Sequence, residues 1–136
     1  MPFIVSIVLL ALAVVLVVLT RLRLGKSSAP GAGRVDLPMS LVNLHSVVGG
    51  IAIAVWGTYL LTDVSRVVGV VGLALWWVTT GVGLMVLARW LPARGRHASS
   101  GATDGWTEGP WLSMVAHLGA LVGAITWTTF LVRGSI

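Results

Sequence analysis

Four uncharged stretches set the limits on what this chain can fold into. They are Phe3–Thr20, Pro38–Leu61, Val67–Ala88 and Pro110–Val132, and they occupy well over half of the 136 residues. Their lengths are 18, 24, 22 and 23 residues. A bilayer core about 30 Å thick is crossed by about 20 apolar residues in helical form, with a range of about 17–25. With no water in that core, a spanning segment satisfies its backbone internally, so helices are expected. The predicted fold class is all-α: four transmembrane helices over about 3–20, 38–61, 67–91 and 110–132, in one domain.

Composition removes the competing classes. The chain is 57% hydrophobic and 10% charged, against about 45–50% and about 25% in an ordinary soluble domain. A domain this small cannot hide so much apolar surface in water. That excludes an ordinary cytoplasmic enzyme, a disordered tail and a nucleic-acid partner. The absence of Cys excludes disulfides, thiolate metal sites and Cys nucleophiles.

The net charge of +5 sits in the segments between apolar runs, where it acts as an orientation signal. Arg21, Arg23, Lys26 and Arg34 follow the first run, and Arg89, Arg94 and Arg96 follow the third. The second connection carries Arg66 and the C-terminus Arg133. The positive-inside rule predicts loops 21–37 and 89–109 in the cytoplasm and both termini outside, in a cell inner or plasma membrane. The first run has its basic residues after it, not before it. It therefore reads as a retained helix, not a cleaved signal peptide.

The second and fourth runs open alike. Asp36 and Pro38 precede His45, and Glu108 and Pro110 precede His117, each pair displaced by 72 positions. Ala52 and Ala124 fall in the same register, and Trp56 and Trp127 follow after a one-residue slip. This pattern predicts two repeated helical hairpins, about 1–64 and 65–136, related by an axis along the membrane normal. Pro at a first helical turn and a carboxylate just before it suit a helix start.

His45 and His117 are the ionisable residues inside the apolar runs, and a group of that kind in lipid marks a functional site by default. Each stands nine residues after its acid, about 13 Å of helical rise. The two imidazoles are therefore expected at one depth, in the cytoplasmic half, facing each other. Two neutral imidazoles across a bundle suit the axial positions of one haem b iron. Zinc would want at least three protein ligands.

A flat macrocycle needs small residues beside its ligands, and Gly49, Ala52, Ala120 and Ala124 are the expected ones. Trp56, Trp76, Trp77 and Trp127 are expected as walls. Ser40, Asn43, Ser113 and the loop arginines are expected near the propionates. Gly69, Gly72, Gly81 and Gly83 read as close-packing positions, and Trp90, Trp106 and Trp111 as an interfacial belt. His97 reads as solvated, and the Gly/Ser-rich connections as linkers.

In general layout the arrangement is similar to small four-helix membrane b-type cytochromes, a likeness that carries no residue role across. The first expectation is a haem b electron-transfer subunit that works with a quinone or within a larger respiratory complex, and not a stand-alone enzyme. The second is a cofactor-free structural or assembly subunit. The third is a small transporter or channel with the His pair as a proton-sensitive element. The lipid bilayer is a partner in each, with other membrane subunits or a homo-oligomer alongside.

Overall fold

A computed structural model describes residues 1–26, 39–90 and 111–136. The described residues form four helices and no strand: α1 (Pro2–Lys26), α2 (Met39–Leu61), α3 (Arg66–Trp90) and α4 (Trp111–Val132). Each holds a segment long and apolar enough to cross a membrane: Pro2–Leu22, Asn43–Leu61, Arg66–Met85 and Leu112–Val132. That is the architecture expected of a multi-pass membrane protein. The outward faces agree, since Leu12, Val15, Val18, Val70, Val78, Val122 and Ile125 are all exposed. In water such a surface would aggregate, whereas lipid chains are its natural solvent.

Both bounds of α2, α3 and α4 fall within a residue of those predicted, as does the start of α1, but the end of α1 does not. The helix runs on to Lys26, six residues past the end of the uncharged run. Charge marks where lipid ends, not where a helix ends, and Arg, Leu and Lys are all good helix formers. Arg21, Arg23 and Lys26 therefore extend the helix, and are not part of a loop as expected.

The helices pack as a ring of four. Each touches two neighbours, in the order α1–α2–α3–α4–α1, and α2 lies diagonally across from α4. The tightest pair is the α2–α3 hairpin, closed by the short turn at 62–65. Glycine makes that closeness possible. A methyl group on Gly72 would come within 3.0 Å of the Trp56 backbone nitrogen and 3.1 Å of its Cα. One turn away, Gly69 lies against the face of the Tyr59 ring.

The core occupies the half of the bundle nearest that turn. Leu10, Ala52, Trp56, Leu60, Leu73, Trp76, Ala124, Trp127 and Leu131 are buried there. Trp127 packs tilted against Trp56 at 5.1 Å and edge-on to Trp76 at 4.7 Å, ring centre to ring centre, the second being the T-shaped geometry that aromatic quadrupoles favour. Trp76 Nε1–H donates to the Ala120 carbonyl at 3.1 Å, and Trp77 Nε1–H donates to Thr128 Oγ1 at 3.0 Å. The Arg66 guanidinium donates to the Leu131 carbonyl at the end of α4, where a cation also complements the helix dipole.

The sequence match between α2 and α4 has a counterpart in burial. Ala52 and Ala124, Trp56 and Trp127, and Leu60 and Leu131 are buried in pairs. The match does not extend to α1 and α3. Ser6 is fully buried, while Val78, at the same offset, is exposed. The paired openings Asp36–Pro38 and Glu108–Pro110 lie outside the described residues, as do His97, Trp106 and both linkers.

Candidate functional site: two imidazoles above a glycine

His45, Gly83 and His117 stand about six to seven residues in from the helix ends at Met39, Trp90 and Trp111, close to 10 Å of rise. They share one level, in the half of the bundle away from the 62–65 turn. There the two imidazoles meet, with ring centroids 5.8 Å apart and planes inclined by 22°. They reach this contact across the diagonal of the bundle, because α2 and α4 do not touch through their backbones. The expectation of one depth and mutual facing corresponds to this geometry.

Gly83 holds the third side. A methyl group there would overlap Cδ2 and Nε2 of His117 and stand 3.1 Å from Cε1 of His45. Both rings thus turn a nitrogen-bearing edge toward the space that the missing side chain leaves. A residue with any Cβ would occupy that space. In sequence Gly83 is one of four α3 glycines that look alike as packing positions, with nothing to connect it to the histidines.

The protonation pattern of His117 follows from its contacts. Its Nδ1 lies 2.6 Å from the Ser113 carbonyl and 3.3 Å from Ser113 Oγ. A carbonyl oxygen only accepts, so Nδ1 carries the proton and donates. In a neutral imidazole Nε2 is then left with a free lone pair. A metal-ligating histidine is set up in this way, with one ring nitrogen tied to a carbonyl and the other presented to the site. His45 differs: its Nδ1 is buried and has no hydrogen-bond partner among the described residues. An unpaired polar atom of that kind costs about 1–3 kcal/mol.

Beside the pair lies a cleft of about 400 Å³, within the range of about 300–1,000 Å³ usual for ligand sites. All four helices contribute to it, and its lining is mostly apolar. It exists because α1 is held at one end only. The buried residues of α1 are Ser6 and Leu10, and Leu10 packs against the core. Beyond Ala13, which still packs against the core, no described α1 side chain is fully buried, and the exposed Val15 and Val17 border the opening.

The other expected site residues divide. Gly49 and Ala120 line the cleft, together with Gly119 and Gly123. Ala52 and Ala124 do not: both are fully buried in the aromatic core. They lie two helical turns beyond their histidines, on the same face but about 10 Å deeper. Of the expected aromatic walls, Trp76 and Trp127 border the cleft. Trp56 is packed behind Trp127 in the core, and Trp77 is 40% exposed on the outside. Ser113 is engaged by His117 instead of facing a propionate.

Chemically, this is a two-donor site. Among the described residues no group of three or more His, Asp or Glu side chains converges. A metal that brings four in-plane donors of its own needs only two more, one on each side.

Compared with protein-family models, curated proteins and solved structures, the chain matches none at a significant level.

Proposed function

We propose that the protein is a membrane haem b subunit that carries single electrons, with His45 and His117 as the axial ligands. The single observation behind this reading is the meeting of the two imidazoles over Gly83, one of them with its Nε2 lone pair set free by the Ser113 carbonyl. When bound, haem supplies a one-electron couple whose potential is set by its ligands and burial.

The chain's own part is then to hold and shield. His117 keeps its tautomer through the Nδ1–H donated to Ser113. Gly83 lets both rings close against α3. Gly49, Ala120, Gly119 and Gly123 keep the adjoining cleft shallow enough for a flat body, and Trp76 and Trp127 close it toward the core. The apolar lining excludes water.

In this reading the basic end of the bundle faces the cytoplasm and both termini lie outside, supported by the charge asymmetry of the sequence. A site in one half of the bundle cannot alone span a core about 30 Å thick. Its electrons therefore go to a lipid-soluble quinone or to a neighbouring subunit of a membrane oxidoreductase. A cofactor-free structural subunit is the second reading, favoured by the tight tryptophan core and the continuous apolar exterior.

Reconstitution decides between them. The detergent-purified protein is titrated with hemin and followed by absorbance, beside His45→Ala and His117→Ala. The haem reading expects saturable binding near one equivalent that either substitution weakens by an order of magnitude or more. Equal spectra for all three proteins would favour the structural subunit.

A further inference from the structure

We infer that the two imidazoles are unequal ligands, and that His45 is the one that gives way to a small neutral diatomic molecule such as carbon monoxide. The inference rests on the haem reading and adds to it a gas-binding position on the α2 side of the metal.

The inequality starts in the helices. His117 donates Nδ1–H to the carbonyl of Ser113, four residues back on α4, at 2.6 Å. The residue four back from His45 on α2 is Leu41. Its carbonyl stands in the same relation to the ring, yet His45 Nδ1 is buried and makes no hydrogen bond to it or to any other described residue. Gly83 widens the difference. A methyl group there would overlap Cδ2 and Nε2 of His117 but stand 3.1 Å from Cε1 of His45. His117 is therefore held on two edges, by the backbone of α4 and by α3. His45 lacks the first tie and has more room at the second.

Bond strength follows from these ties. A carbonyl that accepts from Nδ1–H raises the basicity of the other ring nitrogen and fixes the ring for a metal. His45 receives no such help, and a buried N–H without an acceptor is a standing cost that release of the ring removes. The weaker metal bond thus faces α2. In the exchange, the His45 nitrogen leaves with its electron pair and the incoming molecule binds through a pair of its own. No electron is transferred and no proton is needed. The cleft supplies the route, since it borders His45 and its lining is mostly apolar. An apolar gas enters such a lining from lipid without loss, whereas a charged ligand would be stripped of its water.

The experiment loads hemin into the wild type, His45→Ala and His117→Ala in a neutral detergent, reduces each with dithionite and adds carbon monoxide. His45→Ala is expected to bind hemin about three- to tenfold more tightly than His117→Ala, the scale of one retained hydrogen bond. The reduced wild type should take up carbon monoxide at a rate that levels off at high gas concentration, where departure of His45 becomes limiting. In His45→Ala the rate should rise in proportion to concentration. The infrared C–O stretch of that adduct should coincide with the wild-type adduct.

A reduced wild type that holds haem but takes up no carbon monoxide overturns the inference and leaves the haem reading standing. So does a wild-type adduct whose stretch matches His117→Ala instead, or an equal or reversed order of hemin affinities in the two variants. A wild type that binds no hemin overturns the haem reading and this inference with it.

Discussion

Gly83 of α3 and His117 of α4 are so close that one added methyl group on residue 83 would overlap the imidazole. The same methyl group would stand 3.1 Å from His45 on α2, so three helices depend on the absence of one side chain. Elsewhere on α3, a Cβ at Gly81 would meet nothing within 4 Å.

This contrast gives the first prediction. Gly83→Ala should lower stability by about 1–3 kcal/mol, the usual cost of overpacking a close contact, and should lower hemin affinity at least tenfold by displacing His117. Gly81→Ala should be neutral or slightly stabilising, since alanine is the better helix former. Thermal unfolding in detergent and hemin titration measure the two effects. Equal behaviour of the two variants would refute the contact as described.

The core and the site occupy different levels and should fail separately. Trp56 is fully buried in the core and does not line the cleft. Trp56→Ala is expected to cost about 3–5 kcal/mol, while the fraction that remains folded keeps its hemin affinity. Unfolding midpoints together with titration of the folded protein test this. A large loss of affinity per folded molecule would mean that the two levels are coupled.

The α2–α3 hairpin offers a third test. A Cβ at Gly72 would press on the Trp56 backbone, not on a mobile side-chain end, so relief requires the helices to part. Gly72→Ala should cost about 1–3 kcal/mol, and Gly50→Ala, which meets nothing within 4 Å, should cost nothing measurable. The comparison is read from unfolding midpoints of the two variants.

These contacts show how far the sequence could be read. The four helices were legible because apolar length and the lack of charge are enough to specify a spanning segment. The histidine pair was legible because ionisable residues are scarce in such segments, and a shared register implies a shared depth. Gly83 was not legible. Four glycines on α3 look alike in sequence, and only the position of α4 separates the one beneath the imidazoles from one facing open space. Ala52 and Ala124 read as cleft residues because they are small and follow their histidines within seven positions. Their depth, two turns further on, puts them in the core instead. The end of α1 was missed for a different reason, since hydropathy locates the membrane boundary while helix propensity carries the backbone past it.

Orientation is testable without disturbing the site. The chain has no Cys, so each introduced thiol reports on its own position. Ser28→Cys and Ser100→Cys should react with a membrane-impermeant maleimide only from the cytoplasmic side. Ser65→Cys and Ser135→Cys should react only from the other side. The reverse pattern would invert the topology and place the histidine level in the opposite leaflet.

The most direct measurement is the visible spectrum of the purified protein, expressed with haem supplied, first oxidised and then reduced with dithionite. The account predicts a sharp Soret band and resolved α and β bands on reduction, the signature of a low-spin haem with two imidazole ligands. His45→Ala and His117→Ala should each lose it. A folded wild-type protein with no absorbance above 350 nm, or a haem spectrum unchanged in both variants, would contradict the account.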